Sequence, residues 1–145
     1  MSLLAYNSYA PTRVLFGAGQ LNHLHEQAMP GRLAMVVISN GKSSRANGSL
    51  DRTPAELSPA AGVESVVFDH VGANPTKEVT EEGAFFAREN GVDFIVALGG
   101  GSVMDAAKVM AMFAPQPSDD LWDYAGGKTG RALPLVNPEL PWVAI

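Results

Sequence analysis

Val92-Asp93-Phe94-Ile95-Val96-Ala97-Leu98 runs straight into Gly99-Gly100-Gly101-Ser102-Val103-Met104-Asp105-Ala106-Ala107-Lys108, and this junction decides the fold. The first part is short and apolar at nearly every position, which predicts a strand covered on both faces, as in a parallel sheet. Beyond the glycines, Val103, Ala106, Ala107, Met110 and Phe113 recur at helical spacing, and Pro115 ends the pattern. A buried strand, a glycine turn and a helix with one apolar face make a single βα unit.

Working outward, further apolar runs predict strands at Leu33–Ile38, Val63–Phe68 and Trp142–Ile145. Arg13–Phe16 is another extended piece, expected at a sheet edge. Helices fall between these runs. Thr53-Pro54 and Asn74-Pro75 each join a capping residue to a proline suited to a first helical position. Lys77–Asn90 carries Val79 and Phe86 at helical spacing and meets Gly91 as a stop. This alternation predicts an α/β fold, a Rossmann-like open parallel sheet with helices on both faces. Pro115–Leu140, rich in proline and glycine, is too long for a plain connector, so a functional or interdomain loop is expected there. A helical turn at Ser118–Tyr124 shortens it, and Trp122 and Tyr124 with Asp119, Asp120 and Asp123 read as a packed surface turn, with a lid as the weaker alternative. A core strand at Trp142–Ile145 has nothing after it to cover its faces, so the chain is expected to be truncated.

The chain has 145 residues, 46% hydrophobic and 17% charged, which fits one globular unit over residues 1–145 and excludes a disordered tail. A net charge of −5 without a Lys/Arg cluster argues against a nucleic-acid partner. No apolar run approaches the ~20 residues of a bilayer span, so no membrane partner is expected. Met1–Tyr6 lacks a basic segment followed by an apolar core and reads as no secretory signal. The absence of cysteine removes disulfides and thiolate chemistry and suits a reducing, cytoplasmic compartment.

Chemistry concentrates at Gly99-Gly100-Gly101-Ser102. Unpaired N–H groups and the helix dipole attract an anion there, and glycines let the backbone approach it; a diphosphate, with two linked anionic groups, suits such a place. Ser102 with Asp105 also resembles a capping box, which accounts for those two residues but not for consecutive glycines. Phe16-Gly17-Ala18-Gly19 fails the dinucleotide fingerprint, because its third glycine would fall at Asn22; a tight turn before a helix is the reading there. After the Leu33–Ile38 run, Gly41, Lys42, Ser43 and Ser44 occupy the place where an acidic residue holds the adenosine ribose of NAD. No Asp or Glu occurs between Leu33 and Leu50, which favours NADP, although a solvated polar turn is the plain alternative. Asn74 lies beyond the Val63–Phe68 run, at the same end of the sheet. His23 and His25 are too close in sequence to share a helix face, and His70 is a lone loop histidine. No metal ligand and no catalytic acid–base pair is assigned to this chain.

These residues together resemble the N-terminal, nucleotide-binding half of the iron-containing (group III) alcohol dehydrogenases. The resemblance rests on Phe16-Gly17-Ala18-Gly19, Gly41-Lys42-Ser43-Ser44, Asn74-Pro75-Thr76, Gly99-Gly100-Gly101-Ser102 with Asp105 and Lys108, and Leu140-Pro141-Trp142-Val143-Ala144-Ile145. It implies that Gly99 to Ser102 cradle the dinucleotide diphosphate, that Asn74 faces the cofactor, and that Asp105 helps order the nicotinamide side. Gly41 stands where NAD-preferring members often carry Asp. The resemblance further implies Fe2+ or Zn2+, held by an Asp and three His in a helical C-terminal domain that this chain lacks. The implied activity is hydride transfer between NADP or NAD and a small alcohol or aldehyde, with a homodimer possible and this piece inactive alone. Glycerol dehydrogenases and dehydroquinate synthases share the triple glycine, and a stand-alone nucleotide-binding module is a further alternative.

Overall fold

A computed structural model describes Tyr9, residues 11–127 and residues 129–145, without the side chains of residues 59–61. Met1–Tyr6 lies outside the described residues. Strands β1 (Leu33–Ser39), β2 (Glu64–Val71), β3 (Phe94–Ala97) and β4 (Trp142–Ala144) form one parallel sheet in the order β2-β1-β3-β4. Between them run α1 (Ser43–Ala46), α2 (Ser49–Ala61), α3 (Lys77–Glu89) and α4 (Gly101–Phe113), with 3₁₀ helices at Gln20–Glu26 and Leu121–Asp123.

The two central strands are the apolar ones. Ala34 to Ile38 and Phe94 to Ala97 are all fully buried, and the alternation of side chains divides them between two layers. Met35, Val37, Ile95 and Ala97 pack with Met110 and Phe113 of α4 and Ala84 and Ala87 of α3. Ala34, Val36, Ile38, Phe94 and Val96 pack instead with Leu24 of the first 3₁₀ helix and Leu57 of α2. Each large apolar side chain so covered contributes about 1.5–3 kcal/mol. The expected α/β sheet with helices on both faces is what forms. Asp93, the one charge in Val92–Leu98, accepts from Arg32 N–H at 2.8 Å and from Leu33 N–H at 2.9 Å, tying the start of β1 to β3.

Several local expectations are corrected. β2 begins at Glu64 and continues to Val71, so His70 is a strand residue and not a loop histidine. As an outer strand β2 is not covered on both faces, and Val67 is 39% exposed. β4 is also outer, with Trp142 and Ala144 exposed. Arg13–Phe16 joins no strand. Thr53 and Pro54 do not open a helix, because α2 starts at Ser49; Thr53 is buried inside it and its hydroxyl donates to Ser49 O at 2.9 Å. Asn74 is not a cap either. Thr76 precedes the first residue of α3, and Asn74 takes a left-handed turn with φ 54°. The turn placed at Ser118–Tyr124 narrows to Leu121–Asp123.

Gln116 organises the long segment after α4. It is 1% exposed; its amide donates to Met112 O at 3.1 Å and Asn137 O at 2.8 Å, while its Oε1 accepts from Val136 N–H at 2.9 Å and Asn137 N–H at 3.2 Å. Gln116→Leu leaves backbone groups without these partners, so chemical denaturation should show a loss of about 2–3 kcal/mol. An unchanged denaturation midpoint would mean that water replaces the amide at no cost.

Candidate functional site

The carboxyl ends of β1, β2 and β3 lie together, because Val36 pairs with both Val67 and Val96. Three loops therefore converge where an open α/β sheet receives its ligand. The loop after β3 is the best defined. Gly99 N–H donates to Ile145 O at 3.0 Å, and Gly100 O accepts from Val103 N–H at 3.0 Å and Met104 N–H at 3.1 Å. The N–H groups of Gly100, Gly101 and Ser102 find no acceptor among the described residues. They are the free donors of the first turn of α4, where the helix dipole adds positive potential.

The three glycines differ in what holds them. Gly99 has φ +154°, and a Cβ on it would stand 3.0 Å from Val103 Cγ2. Gly100 has φ −81°, and a Cβ on Gly100 or Gly101 would meet nothing within 4 Å. The fold demands glycine at the first position only. At the other two the open face is free for a ligand that must approach the backbone closely, as a diphosphate does.

Capping does not explain the motif. The helix begins at Gly101 with Gly100 at the cap position, and no side chain hydrogen-bonds to the cap. Ser102 is thus inside the first turn. Asp105 lies further along α4, 72% exposed, with Lys108 Nζ 3.5 Å from its Oδ1. The capping box, the plainer alternative for Ser102 and Asp105, does not form.

A cavity of about 270 Å³ opens against this turn, walled by Ser43 and Ser44, by Gly72 and Ala73 after β2, and by Gly99 to Ser102. A second cavity of about 400 Å³ adjoins it through Ser102 and is lined by Asn74, Lys77, Asp105 and Trp122. The structure therefore brings Ser43, Ser44, Gly99, Gly100, Gly101 and Ser102 around one space and Asn74, Ser102 and Asp105 around the next. Gly41 and Lys42 line neither cavity and are exposed on the loop after β1.

The roles of Lys77 and Glu81 in this neighbourhood escaped the sequence reading. Lys77 Nζ lies 2.9 Å from Asp120 and 3.2 Å from Glu81, and Glu81 also accepts the Leu121 N–H at 2.7 Å. The Asp120 carboxylate, then Glu81, holds the Lys77 amine above its ordinary range, and Lys77 holds Asp120 below its own. A lysine and a glutamate at i, i+4 are a common helix pair, so the only available signal was spacing on α3.

Among the described residues no group of three or more His, Asp or Glu side chains is placed to hold a metal ion. The histidines serve as struts: His23 Nδ1 is 2.9 Å from Glu26, His70 Nδ1 is 2.8 Å from Glu82, and His25 Nδ1 is 2.6 Å from Glu56. The last pair joins the first 3₁₀ helix to α2. The Glu56 hydrogen bond raises His25 above its ordinary 6.5, and His25 lowers Glu56 below 4.5. A raised histidine stabilises the fold below its unfolded value and loses that contribution as pH rises through the folded one; the lowered glutamate acts in the opposite sense. The clasp should thus be complete between pH 4.5 and 6.5 and loosen above. Proton NMR of the His25 ring should give a midpoint above 6.5 that falls toward that value in Glu56→Gln. An equal midpoint in both proteins would remove the clasp.

A family model for iron-containing alcohol dehydrogenase matches residues 11–145. The chain belongs to the iron-containing alcohol dehydrogenase family. NADPH-dependent aldehyde reductase YqhD of Escherichia coli (strain K12) is 34% identical over 134 residues, covering 90% of this chain and 34% of that protein. Among solved structures, an archaeal halo-thermophilic alcohol dehydrogenase from a Red Sea brine pool superposes with a TM-score of 0.87 at 33% identity, covering 99% of this chain and 36% of the other. Sulfoacetaldehyde reductase from Bifidobacterium kashiwanohense, solved in complex with NAD+, gives a TM-score of 0.79 at 26% identity, covering 97% and 35%. The chain thus spans about a third of the length of the relatives it matches. Nearly the whole of this iron-containing alcohol dehydrogenase chain, 97–99% of it, superposes on those structures. No helix among the described residues is long and apolar enough to cross a membrane.

Proposed function

We propose that this chain is the dinucleotide-holding unit of an oxidoreductase that moves hydride between NADP or NAD and a small alcohol or aldehyde. The observation that carries the reading is the turn at Gly99–Ser102, with three free backbone donors and two glycines whose identity the fold does not require. The cavity beside it fits the group, since the space a Cβ would fill at Gly100 and Gly101 is open. When bound, the cofactor supplies the hydride chemistry. The chain's own residues hold the diphosphate through the Gly100, Gly101 and Ser102 N–H groups, meet the adenosine side with Ser43 and Ser44, and flank the further half with Asn74 and Asp105.

The family name, the printed activity of the aldehyde reductase and the NAD+ complex of the sulfoacetaldehyde reductase support this reading. The loop after β1 has no acidic residue to repel a 2′-phosphate, which favours NADP. The described residues offer no ligand set for the family's metal, so no step through a metal is assigned to them. Its ligands, and most of the substrate pocket, are expected in residues beyond this third of the relatives' length. The cysteine-free composition suits the cytoplasm. Neither a membrane nor a nucleic acid is an expected partner, and a homodimer is compatible with the family.

Isothermal titration of the chain with NADP+ and with NAD+ tests the reading. Saturable heat with at least one, tighter for NADP+, is expected, together with no alcohol oxidation when Fe2+ or Zn2+ is added. Absence of heat with both dinucleotides would overturn it, and turnover by this chain alone would overturn the division of labour.

A further inference from the structure

Trp122 is unusual for a large apolar side chain. It is 44% exposed, yet its surroundings fix it tightly. Its N–H donates to the Asp120 carboxylate at 2.9 Å, and its carbonyl accepts from Ala125 at 3.3 Å and Arg131 at 3.1 Å. The indole Nε1 donates to Thr129 Oγ1 at 3.1 Å. Asp120 is in turn held by Lys77 at 2.9 Å, and the neighbouring Leu121 N–H by Glu81 at 2.7 Å, both on α3. The result is an indole with part of its surface left uncovered at the wall of the 400 Å³ cavity. Neighbouring Leu121, by contrast, is turned inward at 7% exposure.

The two cavities share Ser102, whose N–H is one of the free donors. A diphosphate seated on that turn extends a nucleoside to either side, and on the α3 side there is room for a ring beside Trp122. We propose that Trp122 is a ring-stacking residue: the second cavity receives a planar heteroaromatic group of the bound dinucleotide, against the indole. This rests on the dinucleotide reading above. Asn74 and Asp105, which line the same space, offer an amide and a carboxylate to the ring's polar edge. The Lys77–Asp120 and Glu81–Leu121 contacts make α3 the positioning element that holds the indole ready, so less order is lost when the ring arrives.

The test uses the chain with Trp142→Phe, which leaves Trp122 as the single tryptophan. NADP+ or NAD+ should quench its fluorescence saturably. Trp122→Ala should weaken dinucleotide binding about tenfold, the scale expected for a lost base–aromatic stack, and Trp122→Phe should restore most of it. Circular dichroism and thermal transitions of the variants report that the fold is intact. Titrations with ADP and with nicotinamide mononucleotide tell which ring occupies the cavity, and quenching by either supports the proposal. If Trp122→Ala binds within twofold of the parent while Gly100→Val loses binding, the stacking role is overturned and the dinucleotide reading stands. If the parent itself binds neither dinucleotide, both fall together.

Discussion

Replacing Gly100 with valine should weaken dinucleotide binding at least about a hundredfold and leave the fold as stable as before. The reasoning starts from the backbone. Gly100 has φ −81° and ψ −169°, an extended conformation that β-branched residues adopt readily, and its surroundings hold nothing within 4 Å of a new Cβ. The free protein therefore has no steric reason to object, and losing a glycine restricts the unfolded chain, which is worth roughly 0.4–1 kcal/mol in favour of folding. The ligand has every reason to object. A valine side chain fills the space that a diphosphate needs in order to reach the N–H groups of Gly100, Gly101 and Ser102. Hydrogen bonds from backbone donors to a charged group contribute about 1.5–3 kcal/mol each, so losing two gives the expected hundredfold or more. Calorimetric titration beside a thermal melt would show both halves of the effect. Unchanged affinity would mean that the glycine is there for some reason other than a ligand.

Gly99→Ala should do the reverse, damaging the fold first. At φ +154° an L-residue is strained whatever the space around it, and the new Cβ would press on Val103 at 3.0 and 3.2 Å. Val103 is itself 3% exposed in the core beneath α4, so it has little freedom to yield. Strain and overpacking together predict a loss of about 3 kcal/mol, a fall of roughly 10 °C in the melting temperature of a domain this size. Two adjacent glycines should thus separate cleanly, one changing stability and its neighbour changing binding. A Gly99→Ala protein that melts with the parent would show that the turn is looser than described.

The architecture was legible because the signals that encode it are local and strong. The apolar runs at Leu33–Ile38 and Val92–Leu98, the second broken only by Asp93, have no other comfortable home than the middle of a parallel sheet. The turn at Gly99 was equally plain. What could not be read was anything set by a partner distant in sequence. Val63–Phe68 was read as a buried run on Val63, Val66, Val67 and Phe68 despite Glu64 and Ser65, and its place at the sheet edge depends on which strands pair. Thr53-Pro54 looks like a helix start until Gly48, with φ 72°, is seen to open α2 one turn earlier. The Trp122 environment depends on Lys77 and Glu81, far off in the chain, so composition alone presented it as a surface turn. Gly41 and Lys42 sit on the expected loop without reaching its cavity, whose wall is formed instead by Ser43 and the buried Ser44 of α1.

The most direct measurement follows the backbone amides themselves. With a 15N-labelled chain titrated against NADP+, the Gly100, Gly101 and Ser102 N–H signals should move downfield together and saturate with the binding heat, while adenosine without phosphate should leave them in place. Saturation by the dinucleotide with those three signals unmoved would contradict the account.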